Sequence, residues 1–123
     1  MILLDSNMII HAAQPAYREL RKWLEKQVFA ICELSGLEVM GYHRIEEDKR
    51  EYFRQFFNVS RILPISEEVI ETAIPIRRTY NMSLGDVVIA ATAVHYGCKL
   101  CANNQKDFKK VEKLRLVDIS EFV

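Results

Sequence analysis

Along the whole chain, short apolar runs alternate with stretches whose apolar residues recur at helical spacing. Met1 to Leu4 is apolar without interruption, the pattern of a strand covered on both faces, and it ends at the turn-forming Asp5-Ser6-Asn7. A helical stretch from about Met8 is interrupted at Pro15 and resumes through Tyr17, Leu20, Trp23 and Leu24, with charges between them. Val28 to Cys32 predicts a second strand, Glu33 to Gly41 a short helix, and His43 to Phe57 a longer one with Ile45, Tyr52, Phe53, Phe56 and Phe57 along one side. Arg61 to Ile65 predicts a third strand, placed at a sheet edge because Pro64 has no amide proton to donate. Ser66 caps the next helix, with Glu67 and Glu68 in its first turn, and Pro75 is expected to kink or split it. Ser83 then caps a helix whose run Val87 to Val94 is apolar on every side, so it is buried on most of its surface, and Gly97 ends it. Cys98 to Ala102 and Leu116 to Ile119 predict a fourth and a fifth strand, with Asn103 to Asp107 as a loop.

Strands separated by helices imply a three-layer α/β/α domain, residues 1–123, around a central, mostly parallel five-stranded sheet of order about 3-2-1-4-5. In such sheets ligands bind outside the carboxyl ends of the strands, where the strand order reverses. That rule sorts the acidic residues. Asp5 leaves the first strand at that edge, and Asp107 follows the fourth with Asn103 and Asn104 ahead of it. Glu38 lies within two turns of the start of the helix after strand two, and Asp86 stands at the mouth of the buried helix. Asp86 also completes an S-x-x-D capping box with Ser83, so a structural role and a chemical one are both open for it. Glu46, Glu47, Asp48, Glu51, Glu67, Glu68, Glu71 and Glu112 stand instead among polar and basic residues on helical faces, as solvated charges do.

Carboxylates that converge raise one another's pKa unless a cation neutralises them. A site of oxygen donors without His or Cys selects a hard ion, Mg²⁺ or Mn²⁺, and the chemistry such an ion serves is phosphodiester hydrolysis. Cys32, Cys98 and Cys101 lie in apolar surroundings and read as reduced core thiols, and the pair Cys98 and Cys101 lacks the second pair of ligands that zinc needs. The chain is 50% hydrophobic and 28% charged, as soluble globular proteins are. It has no basic leader and no apolar run near the ~18 residues of a membrane span, so a cytoplasmic protein is expected. Seventeen basic and seventeen acidic residues cancel, so nucleic acid would have to be held by a local basic patch. Lys106, Lys109, Lys110, Lys113 and Arg115 cluster after the acidic loop and could supply it, or could be an ordinary solvated face.

These residues resemble the PIN-domain nucleases, and among them the VapC-type toxins of bacterial and archaeal toxin–antitoxin pairs. Leu3-Leu4-Asp5-Ser6-Asn7-Met8-Ile9-Ile10 is similar to the family's opening, apolar residues around D-[ST]-N, which puts Asp5 at its first acid with Asn7 in support. Glu38, six positions after Cys32, matches the second acid in spacing. Asp86-Val87-Val88-Ile89-Ala90-Ala91-Thr92-Ala93 is similar to D-x-x-I-A-A-x-A, and Ala102-Asn103-Asn104-Gln105-Lys106-Asp107-Phe108 to T-x-N-x-x-D-F, with Asn104 and Asp107 as the fourth element. Ala102 replaces the usual Ser or Thr, and Cys32 stands where Ser is common. The resemblance implies an endoribonuclease using Mg²⁺ or Mn²⁺, a homodimer restrained by a small antitoxin.

Two other classes fit parts of the pattern. A PIN-like binding module that has lost catalysis is compatible with Ala102, although the acids argue against it. A receiver-type signalling domain shares the layout, but strand three ends Leu63-Pro64-Ile65-Ser66 without the phosphoacceptor Asp such a domain requires. The aromatic stripe of the His43 to Phe57 helix leaves a further choice: it packs on the sheet, or it forms an arm that offers apolar surface to a partner.

Overall fold

The computed structural model describes residues 1 to 122. In chain order the elements are β1 (Ile2–Leu4), α1 (Ser6–Ala12), a 3-10 turn (Pro15–Tyr17), α2 (Arg18–Glu25), β2 (Phe29–Cys32), α3 (Glu33–Met40), α4 (Glu47–Val59), β3 (Arg61–Leu63), α5 (Glu67–Thr79), α6 (Leu84–Tyr96), β4 (Lys99–Cys101) and a second 3-10 turn (Phe108–Lys110). The strands form one parallel sheet of order β3-β2-β1-β4, with Leu4 opposite Ile31 on one side and Cys101 on the other. The expected order is therefore observed, with β3 at the edge.

The expected fifth strand is reduced to a single parallel bridge between Leu100 and Leu116. Its hydrogen bonds are those of Leu100 N to Arg115 O (2.8 Å) and Val117 N to Leu100 O (2.9 Å). The ladder stops there because the Val117 carbonyl accepts from the Gln105 side-chain amide (3.0 Å), and Asp118 beyond it is exposed.

Successive strand residues face opposite layers. Leu3, Ala30, Cys32, Leu63, Leu100 and Ala102 pack with Val69, Ala73 and Ile76 of α5 and the buried face of α6. Leu4, Ile31 and Cys101 pack on the other side with Met8 and Ile9 of α1, Leu20 and Leu24 of α2, Val39 of α3 and Phe53 of α4. Helix α3 bridges these layers, since Leu34 packs with the first group and Val39 with the second. It therefore crosses the carboxyl edge of the sheet, carrying Glu38 with it.

Two local expectations are corrected. Helix α4 begins at Glu47 and not at His43, because Glu46 is extended (φ −76°, ψ 152°) while Glu47 and Asp48 favour the dipole of the first turn. Pro75 does not split α5, which runs unbroken through it. The amide it lacks would have bonded the carbonyl of Glu71, and both residues are exposed, so water can satisfy that oxygen.

Gly97 closes α6 in the left-handed region (φ 70°, ψ 28°), and a side chain there would meet open space. The cost of a side chain is therefore backbone strain alone. Gly97→Ala is expected to lower stability by about 1–2 kcal/mol in urea denaturation, and an unchanged midpoint would contradict this.

Candidate active site

Asp5 sits where the order of strands reverses. Its amide donates to the Cys101 carbonyl (3.0 Å), tying the end of β1 to the end of β4, and its residue is 6% exposed at the N-cap of α1. Burial, then the negative charge of Asp86, and more weakly that of Glu38, raise its carboxyl to about 6 from the ordinary 3.8, while the amides of Ser6 and Asn7 pull it down. Cys101, buried beneath it, has its thiol pushed up to about 12 by burial and by the Asp5 charge, so it is an inert neighbour.

Glu38 is held by two serines. Ser6 Oγ lies 2.7 Å from Glu38 Oε1 and 2.8 Å from Ser35 Oγ. A hydroxyl has one proton and a carboxylate only accepts, so Ser6 donates to Glu38 and the Ser35 hydroxyl completes the chain by donating to Ser6. Because Ser6 follows Asp5 directly, this bond couples the positions of the first two acids. Gly85 stands on the other side, where a Cβ would lie 3.4 Å from Glu38 Oε2. The mouth of α6 therefore lies directly against α3 at this carboxylate.

Asp86 takes the capping role expected of it, and its carboxyl stands in the line of acids. Its amide donates to Ser83 Oγ (3.2 Å), which is the cap. Burial raises its carboxyl above the usual range, Ser83 counteracts this, and the charge of Asp107 raises it further. Asp107 in turn forms an ion pair with Lys110 (3.3 Å). Asp5 therefore feels Asp86 and Glu38, and Asp86 feels Asp107, a line of acids along the carboxyl edge. Among the described residues no three His, Cys, Asp or Glu side chains close on one point tightly enough to hold an ion by themselves.

The remaining expected residues take more varied places. Asn7 is exposed at the start of α1. Asn104 Oδ1 accepts from the Lys106 amide (3.3 Å), so its side chain shapes the loop that carries Asp107. Lys106 and Lys109 line a polar cleft beside that loop, whereas Arg115 donates to the Gly97 carbonyl (3.2 Å) beyond the end of α6, and Lys113 lines a hollow against α5 and α6. The sequence reading missed Ser35, although it lies three residues before Glu38 on one helix, a spacing that puts both on the same face. It also missed Gln105, whose amide donates to Ala102 O (3.2 Å) as well as to Val117 O. Ala102 itself is fully buried in the layer beneath α6.

A parallel α/β sheet whose switch point carries a buried aspartate, with further acids along the same edge, defines the class of the molecule. Within that class the chain belongs to the PIN domain family, whose model matches residues 2–114. The receiver-type alternative falls with that match. Solved structures share the fold over nearly the whole chain. VapBC-1 from nontypeable Haemophilus influenzae aligns at 18% identity and a TM-score of 0.82, covering 96% of this chain and 98% of that one. VapBC2 from Rickettsia felis, bound to a DNA fragment from their promoter, aligns at 21% identity and 0.78, covering 95% and 98%. A toxin–antitoxin complex from Klebsiella pneumoniae aligns at 26% identity and 0.76, covering 93% and 95%. No curated protein matches the chain in sequence. No helix among the described residues is long and apolar enough to cross a membrane.

Proposed function

We propose that this chain is a metal-dependent endoribonuclease, the VapC-type toxin of a toxin–antitoxin pair, acting in the cytoplasm as a homodimer. The observation that carries the reading is the crowded charge around Asp5, a carboxyl raised first by burial and then by Asp86 and Glu38, offset only in part by the Ser6 and Asn7 amides and with no cation beside it among the described residues. Such an arrangement is costly for folding alone and is accounted for by a bound cation. The donors are all carboxylate oxygens, which fits Mg²⁺ or Mn²⁺, and Mg²⁺ takes few protein ligands and keeps several waters. Asp5 and Asp86 would hold it, with Glu38 and Asp107 acting directly or through water. When bound, the ion would supply an activated water and charge stabilisation at the scissile phosphate.

The chain's own groups do the rest. Ser6 and Ser35 fix Glu38, Ser83 fixes the mouth of α6, and Asn104 shapes the loop that presents Asp107.

The test is incubation of the purified chain with an unstructured RNA in Mg²⁺, in Mn²⁺ and in EDTA. Internal cleavage with either ion, and none in EDTA, is expected. Binding without cleavage in any of them would favour the PIN-like binding module that Ala102 makes conceivable.

The partner reading rests on the solved neighbours, which are VapBC and toxin–antitoxin complexes, and on an apolar hollow of about 250 Å³ lined by Ile9, Leu24, Phe29, Tyr52, Phe56 and Val59. An antitoxin segment with apolar side chains would fill it.

A further inference from the structure

Beside the acidic loop, a cleft of about 570 Å³ opens between Asn103–Lys109 and the C-terminal residues Asp118–Ser120. Its size falls within the ~300–1,000 Å³ of sites that hold small ligands or single nucleotide units. Lys106 and Lys109 line it, both exposed, and among the described residues neither makes an ion pair. Lys110 differs, because it is paired with Asp107 and does not line the cleft.

The walls are fixed by bonds that leave the lysines free. Gln105 clamps the loop to the C-terminal segment through Ala102 O and Val117 O, and the Lys109 amide donates to Gln105 O (2.9 Å). The one acid on the wall, Asp118, accepts from the Ser120 amide (3.0 Å), which offsets part of its charge. Ile119 is buried and gives the cleft an apolar floor. Two free ammonium groups, a side-chain amide at Asn103 and an apolar floor suit a nucleotide unit, with its phosphate on the lysines and its base or sugar against Ile119.

We infer that this cleft binds the unpaired RNA flanking the scissile phosphate, with Lys106 and Lys109 as its phosphate contacts. The inference rests on the ribonuclease reading and adds a direction to it: the strand leaves the acids past Asp107 toward the C-terminal segment. Lysines flanking Asp107 in sequence would steer a polyanion toward an edge whose own charge is negative, which a molecule of zero net charge cannot do by its overall field.

The experiment compares the wild-type chain with Lys106→Ala/Lys109→Ala, the charge-preserving Lys106→Arg/Lys109→Arg, and Lys99→Ala at the opposite end of β4. Binding of a short fluorescent single-stranded RNA is measured in EDTA at several salt concentrations, and cleavage kinetics in Mg²⁺. The double alanine variant is expected to bind about tenfold more weakly, with a salt slope smaller by about 1.4, and to lose activity through KM rather than kcat. The arginine variant should recover both, and Lys99→Ala should match wild type. If the double alanine variant binds with wild-type affinity while the wild-type chain cuts RNA, the cleft assignment fails and the ribonuclease reading stands. An equal loss in Lys99→Ala also overturns the assignment, since it would reveal only a general charge effect. A wild-type chain that neither binds nor cuts RNA overturns both.

Discussion

Asp5→Asn is expected to lower RNA cleavage by at least about 10²-fold and, in metal-free buffer near neutral pH, to make the protein more stable. The two effects have one cause. Asp5 is buried, and its folded pKa of about 6 lies above the ordinary 3.8, chiefly through burial and then through Asp86. A group whose folded pKa is raised gives its full stability below the unfolded pKa and loses it as pH rises through the folded one. The Asp5 contribution is therefore present below about pH 4, lost between pH 4 and 6, and absent above. The shift of about two units corresponds to on the order of 2–3 kcal/mol. Asparagine has the same shape and no charge, so the stability of Asp5→Asn relative to wild type should grow across that window and level off above it. Added Mg²⁺ should raise the melting temperature of wild type and not that of the variant. Urea denaturation of both proteins from pH 4 to 8 checks the sign. A difference that is flat with pH would contradict the electrostatic account, and undiminished cleavage would contradict the site.

The second large effect concerns α4. Phe53→Ala should cost about 3–5 kcal/mol, because Phe53 is 4% exposed within the layer formed by Leu4, Ile31, Leu20 and Val39. Its neighbours on α4 divide in kind. Phe56 is half-buried and stacks on Phe29 (ring centroids 6.0 Å apart), whereas Val59 is 86% exposed on the rim of the apolar hollow. Val59→Asp should therefore leave the melting temperature close to wild type. In the antitoxin reading it should weaken partner binding several-fold, measured by calorimetry against a purified antitoxin that binds the wild-type chain. If Phe53→Ala melts like wild type, the stripe is no part of the core. If Val59→Asp folds and binds as before, the partner surface lies elsewhere. Within the stripe itself, Phe53 is buried in the layer beside the sheet, whereas Tyr52 and Phe56 line the hollow.

The sequence by itself determined the four strands, the layers and the edge on which the acids gather, while the strand order was settled by the pairing of β1 with β2 and β4. These follow from local patterns: uninterrupted apolar runs mark strands buried on both faces, the all-apolar run after Ser83 marks the central helix, and Asp5, Asp86 and Asp107 each adjoin the end of a strand or the start of a helix. Such features depend on neighbours a few residues apart, so a linear reading can find them. Tertiary structure decided what depends on segments far apart in the chain. Ser6 meets Glu38 across 32 positions and Gly85 stands beside the same carboxylate, so the second acid is positioned by groups that no local spacing connects. Gln105 reaches twelve residues along the chain to take the Val117 carbonyl, which ends the fifth strand at one bridge although the Leu116 to Ile119 pattern favours extension. Lys110 and Lys109 are adjacent and chemically identical in the sequence, yet one neutralises Asp107 and the other faces an open cleft. Periodicity records which face of an element is apolar; which atoms then meet is fixed by how the elements pack and which polar groups they leave to be satisfied.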